Sequence, residues 1–245
     1  MKQNILELKK LFEKIKNTEL NESLRKGTTG IGYTFESLIG KDEDSNYLPD
    51  FNGIEIKTKL GYTKSPMTLF TLVPTKYNEN AIHYILNNYG YPAKNPDFKS
   101  FRGDVFCQKN NIIANRYIFK TIINAAENKL QLLIYNKDFQ LIDDSIFWNL
   151  DRIEERLFKK LEYLAIIKGY PYKRYGKTYY KYTNLSIYKL KNFETFLRLL
   201  NEDKIFLVFN IGFHTSTERY GQINDRGTAF RLQLSSIEEL FDKID

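Results

Sequence analysis

Nine residues, Pro49 to Lys57 (PDFNGIEIK), constrain this chain more than any other stretch. Asn52-Gly53 lies between short runs of strand-forming residues, and this dipeptide is the strongest short-range signal for a two-residue hairpin turn, whose central positions both need positive φ. A two-residue loop fixes register, so Phe51 is expected opposite Ile54 and Asp50 opposite Glu55, with Cβ atoms roughly 4.5–5.5 Å apart. Side chains alternate along a strand, so Glu55 and Lys57 share one face while Ile54 and Ile56 point to the core. Two carboxylates and one ammonium converge on a small patch.

Like charges directly opposite are destabilising in a sheet, so Asp50 and Glu55 ask for a compensating cation. A hard divalent ion such as Mg²⁺ takes carboxylate oxygens together with water and substrate phosphate. Lys57 is placed to orient a water beside it, an arrangement that suits metal-assisted phosphodiester hydrolysis. Spacing alone leaves a second reading open: a solvated strand face with ordinary cross-strand charge pairing.

The partner class follows from charge. A formal net charge of +7 on 245 residues points to an anionic partner, nucleic acid being the usual one, unless the excess is spread evenly over the surface. With 15% aromatic residues and only 13 glycines the chain is expected to be ordered, as one domain or two small lobes. Cys107 is the only cysteine; no intrachain disulfide can form, and a reducing, cytoplasmic setting is expected. One Cys with His83 and His214 cannot build a thiolate–imidazole zinc site. The amino terminus lacks the apolar core of a signal peptide and no apolar run reaches membrane-spanning length, so no membrane partner is expected.

Periodicity gives the coarse organisation. Ile5, Leu8, Leu11, Phe12 and Ile15 predict an amphipathic first helix, and residues 29–40 a second, carrying Glu36 and stopped by Gly40. Strands are predicted over 67–74, 117–124, 130–135, 164–169, 204–213 and 227–234, and helices over 78–88, 151–161, 192–200 and from Ser236 onward. Residues 91–116, rich in Pro, Asn, Lys and Asp, read as a long excursion with little regular structure. From Gly169 to Lys191 basic residues interleave with tyrosines, which suits either a nucleic-acid arm or a two-stranded hairpin with tyrosines packed on one face. Residues 214–226 read as a polar loop able to reach base edges. Candidate DNA contacts are Lys59, Lys64, Lys173, Arg174, Lys181, His214, Asn224, Arg226 and Arg231.

The stretch TTGIGYTFESLIGKDEDSNYLPDFNGIEIKTK (28–59), with TLFTLVPT (68–75), IDDSIFWNLDRIEERLFKKLEYLAII (142–167), YYKY (179–182) and GTAFR (227–231), resembles the MvaI/BcnI restriction-endonuclease family, relatives of mismatch-repair nickases in the PD-(D/E)xK nuclease superfamily. The resemblance implies an α/β (α+β) fold: a mixed central sheet flanked by helices, in two lobes that clasp duplex DNA. The catalytic lobe is expected mainly in 1–165 and the recognition lobe mainly in 166–245. It also implies Asp50 and Glu55 as metal ligands, Lys57 as the catalytic lysine and Glu36 as an aid to the metal or its water. Mg²⁺ is the implied cofactor, with Mn²⁺ as a substitute and Ca²⁺ supporting binding without cleavage.

Further implications are a monomer that nicks the two strands of a short, G/C-rich CCNGG-like site in turn, and a companion DNA methyltransferase. Two departures stand out. Asn224-Asp225-Arg226 occupies a segment where family members can carry histidines, and Asn210 stands where an arginine is expected. Competing readings are a nickase that needs repair partners and a non-catalytic DNA-binding module.

Overall fold

In the computed structural model, which describes residues 1–41, 48–215, 218–225 and 227–244, the Asn52-Gly53 turn forms as its sequence predicts. Both residues take positive φ, 44° and 88°, and Phe51 and Ile54 exchange backbone hydrogen bonds of 2.9 and 2.8 Å. That single bridge ends the ladder. Pro49 has no N–H to offer a second rung, and the Ile56 N–H donates instead to Asp50 Oδ2 at 3.0 Å. Asp50 is therefore no ladder partner of Glu55; its carboxylate folds onto the next backbone amide.

The strand Glu55–Leu60 is held by residues far downstream. It runs parallel to Tyr163–Arg174, with Ile56 opposite Ala165 and Lys57 opposite Ile166. Tyr163–Arg174 then pairs antiparallel with Lys177–Leu190 around a turn in which Tyr175 and Gly176 both have positive φ. Asn21–Glu22 and Phe241–Lys243 add to Lys177–Leu190. The sheet is thus mixed, and helices Lys2–Asn17 and Gly30–Leu38 pack on it. Leu8, Phe12 and Phe35 from the helices share one core with Ile54, Ile56 and Tyr182 from the strands.

Tyr182 Oη, fully buried, donates to Ile31 O at 2.9 Å, which satisfies the one polar atom of an otherwise apolar ring. Gly30 shows why the helix opens on glycine: a Cβ there would lie 2.5 Å from Arg25 O and 2.7 Å from Tyr180 Oη. The tyrosines of 169–191 divide by face. Tyr180, Tyr182 and Tyr188 are core, whereas Tyr170, Tyr172 and Tyr175 are exposed.

A second compact unit is built on two antiparallel sheets. One orders Met67–Thr71, Ala229–Leu232, Ile205–Phe213, Lys99–Val105 and Tyr91–Pro92, with Ile223–Asp225 on Ile205–Phe213. The other orders Asn111–Ile113, Tyr117–Asn124, Lys129–Tyr135 and Leu141–Asn149. Trp148, Phe70, Phe101, Phe209 and Phe230 fill the interior, and Trp148 Nε1 donates to Leu72 O at 2.9 Å. Asn192 caps helix Phe193–Asn201 by accepting from Thr195 N.

Residues 91–116 correct an expectation. They hold three strands, because Lys99–Val105 gains its partner in Ile205–Phe213, a non-local pairing that local punctuation hides. Leu141–Asn149 and Ile223–Asp225 were likewise not expected as strands.

The two units are Met1–Ser65, Leu157–Lys191 and Glu238–Asp245 on the one hand, and Pro66–Arg156 and Asn192–Ile237 on the other. The chain crosses between them repeatedly, so a linear division at 165 puts residues of both units in each block. Among the described residues no helix is long and apolar enough to cross a membrane.

Candidate active site

The hairpin and the strand after it carry Asp50, Glu55 and Lys57 into one place. Glu55 is 1% exposed, which alternation with the buried Ile54 and Ile56 did not predict: both faces of the strand are covered here, and Lys160 from helix Leu150–Leu161 reaches the Glu55 side. Its Oε1 accepts a close hydrogen bond from Lys57 Nζ. Oε2 lies 3.1 Å from Lys160 Nζ, an ion-pair distance without the alignment of a hydrogen bond, so Oε2 is a buried acceptor with no hydrogen-bond donor.

Burial pushes the Glu55 carboxyl above its ordinary range. Lys57 pulls it back, the nearby Asp50 carboxylate adds to the rise, and Lys160 lowers it again. Asp50 is fixed by the Ile56 amide. A buried carboxylate with one unsatisfied oxygen and a second carboxylate beside it is a hard-oxygen donor pair that fits a divalent cation. Among the described residues no three His, Cys, Asp or Glu side chains converge on one point, so such an ion would complete its shell with water and phosphate oxygen.

Glu36 approaches from helix Gly30–Leu38. Gly32, one turn earlier, lets helix and strand approach closely: a Cβ on it would stand 3.1 Å from Thr58 Oγ1 and 3.7 Å from Glu36 Oε1. Glu36 thus flanks the strand that bears Glu55 and Lys57.

Lys160 was missed by the sequence reading. It lies in helix Leu150–Leu161, three residues after Leu157 and next to Leu161, both fully buried. The inward line Ile153, Leu157, Leu161 passed beside it, and that helical face was the available signal.

The expected nucleic-acid contacts fall in both units. In the first, Lys173 and Lys64 are exposed, Arg174 pairs with Glu19 at 3.3 Å, and Lys59 Nζ donates to Ser65 O at 3.3 Å. Lys181 Nζ donates to Lys16 O and Thr18 O at 3.0 and 2.9 Å, closing the carboxyl end of the first helix. In the second unit His214 begins a turn in which its carbonyl accepts from Gly221 N–H, Asn224 pairs with Gly212 on the sheet, and Arg231 lies opposite Phe206. Arg226 lies outside the described residues.

The model of the MvaI/BcnI restriction endonuclease family matches residues 9–241. Among solved structures the chain is similar to restriction endonuclease MvaI in complex with its cognate DNA substrate, at 31% identity and a TM-score of 0.91, covering 100% of this chain and 98% of that one. It is also similar to MvaI in the absence of DNA, at 30% identity and a TM-score of 0.65, with the same coverage. No curated protein sequence matches it.

Proposed function

The chain belongs to the MvaI/BcnI restriction endonuclease family, whose activity is site-specific cleavage of DNA, and from that premise we propose a type II enzyme that hydrolyses phosphodiester bonds in a short, G/C-rich duplex site with Mg²⁺. The observation that carries the reading is the convergence of Asp50, Glu55 and Lys57 on one hairpin, with Glu55 Oε2 buried and lacking a hydrogen-bond donor. The solved relative of TM-score 0.91 holds cognate DNA, which supports duplex DNA as the partner here.

Asp50 and Glu55 would hold the ion. When bound, it supplies charge neutralisation at the phosphate and acidifies a water molecule. The remaining work belongs to side chains of this chain. The Ile56 N–H fixes the Asp50 carboxylate through Oδ2, which leaves the second oxygen for the ion. Lys57 anchors Glu55 through Oε1 and, once substrate is present, offers its remaining N–H donors to the attacking water and to charge developing on the phosphate oxygens. Glu36 orients that water from the helix side.

The site is protected in the host by a companion DNA methyltransferase, and the enzyme works as a monomer that cuts one strand at a time. The test is digestion of unmethylated phage DNA with Mg²⁺ and run-off sequencing of the ends. Discrete fragments with a common end sequence support the reading, and absence of cleavage across divalent metals overturns it.

A further inference from the structure

In the sheet containing Lys99–Val105, alternation puts Phe101 and Val105 on the inner face, where both are fully buried, and Arg102 and Asp104 on the outer face, where both are exposed. The ladder sets Arg102 opposite Asn210 and Asp104 opposite Val208. On the far side of Ile205–Phe213, Ala229 also faces Val208 and Arg231 faces Phe206. Arg102, Asp104, Asn210 and Arg231 line one concavity of about 370 Å³. Gly227 allows its rim, since with φ +83° a Cβ there would lie 2.8 Å from Thr71 Cγ2.

The hydrogen-bonding groups around this concavity are unused. Among the described residues the Arg102 guanidinium, the Asp104 carboxylate and the Asn210 amide make no side-chain hydrogen bond or ion pair, and Arg231 Nε is buried without an acceptor. Arg102 and Asp104 are two residues apart on one strand face, roughly 7 Å between Cα atoms, yet they do not neutralise one another. A buried unpaired donor is costly and marks a place where an outside acceptor is expected.

The mixture of signs selects the ligand. A phosphate would welcome Arg102 and Arg231 but be repelled by Asp104, whereas a base pair presents both kinds of partner. Guanine O6 and N7 accept the two-pronged arginine donor, and the cytosine N4 amino group donates to a carboxylate. We propose that Arg102 and Asp104 read G·C base pairing in the major groove, Arg102 on guanine and Asp104 on cytosine. Arg231 supplies a second donor beside them. This rests on the DNA-endonuclease reading and extends it to residues in a segment whose sequence shows no regular pattern.

The test measures binding in Ca²⁺ and cleavage in Mg²⁺ on a randomised-site library, for wild type, R102K, R102A and D104A. Both positions are exposed, and thermal unfolding checks that each variant folds. R102K keeps the charge and loses the planar fork, so it should lose about 5- to 150-fold in discrimination at one guanine position, with an unchanged salt slope. D104A should relax preference at a cytosine. Replacing the implicated guanine by 7-deazaguanine, which lacks N7, should weaken wild type and leave R102A unaffected.

If wild type produces no discrete fragments, the endonuclease reading itself fails. If wild type cuts specifically while R102A and D104A keep the same site preference, or lose affinity equally for every sequence, the base-reading assignment is overturned and the catalytic reading stands.

Discussion

Lys160 Nζ lies 3.1 Å from Glu55 Oε2, while Lys57 occupies Oε1 of the same buried carboxylate. Two ammonium groups, one from the neighbouring strand position and one from a helix, thus surround a carboxylate that burial alone would drive toward protonation. Because Lys160 sits where cationic charge would be wanted beside Oε2, Lys160→Met should lower stability in EDTA by about 1–3 kcal/mol, the cost of removing a partner from a charged contact. Lys160→Arg should recover most of it. Adding Ca²⁺ should stabilise the methionine variant more than wild type, because the ion replaces the missing charge. Denaturant unfolding with and without Ca²⁺ measures both effects, and equal stability of the variant in EDTA would sink the role given to Lys160.

The raised Glu55 carboxyl makes a signed pH prediction. Its folded pKa lies above its unfolded value, so its contribution to stability is fully present below the ordinary glutamate range and is lost as pH rises through the folded pKa. Wild type should therefore lose stability relative to Glu55→Gln as pH increases across that interval, and the difference should then level off. Thermal unfolding of both proteins in EDTA, stepped from pH 4 upward, checks the direction. Metal binding needs the ionised carboxylate, so affinity for Mg²⁺ should fade on acidification earlier than for an ordinary glutamate.

For catalysis, Asp50→Asn and Lys57→Ala should each lower the cleavage rate by about a hundredfold or more. Specific binding in Ca²⁺ should survive Lys57→Ala, since this lysine acts on the reacting groups. Single-turnover rates with gel-shift affinities separate the two quantities. A Lys57→Ala enzyme cutting at near wild-type rate would remove the hairpin from the mechanism.

Much of the site was legible because its geometry is local. Asn52-Gly53 dictated positive φ at both positions, and the turn brought Asp50 and Glu55 together. What local sequence could not reveal was supplied by distant chain. Glu55 is buried on a face that helix Leu150–Leu161 reaches with Lys160, and Asp50 leaves the ladder because Pro49 cannot continue it. Arg102 and Asp104 were hidden in a segment punctuated by Pro, Asn and Gly, whose strand exists only through Ile205–Phe213. Helices with clear periodicity, such as Lys2–Asn17, or with a cap, such as Phe193–Asn201, were legible throughout.

The basic hairpin can now be divided by what each side chain already holds. Lys173 is exposed and free for phosphate, whereas Lys181 ties down two carbonyls at the end of the first helix. Lys173→Ala should weaken binding to all sequences alike and reduce the slope of log affinity against log salt by about one. Lys181→Met should instead lower stability by about 1 kcal/mol. Fluorescence-anisotropy titrations over a range of salt, paired with thermal unfolding, distinguish them. An unchanged salt slope in Lys173→Ala returns that residue to a solvated hairpin.

The order of strand cleavage follows from there being one Asp50–Glu55–Lys57 constellation per chain. If a monomer acts, it presents one active site to one strand, and cutting the duplex takes two chemical events with a reorientation between them. On a supercoiled plasmid with a single site, open circle should appear before linear DNA. Its peak should grow as added salt slows rebinding, because rebinding depends on screened phosphate contacts. A transient dimer would place two active sites at once, yield linear product directly, and give a rate rising more steeply than the first power of enzyme concentration. Quenched time courses resolved on agarose decide between them, and failure to observe open circle at any salt or enzyme concentration would rule out the monomer.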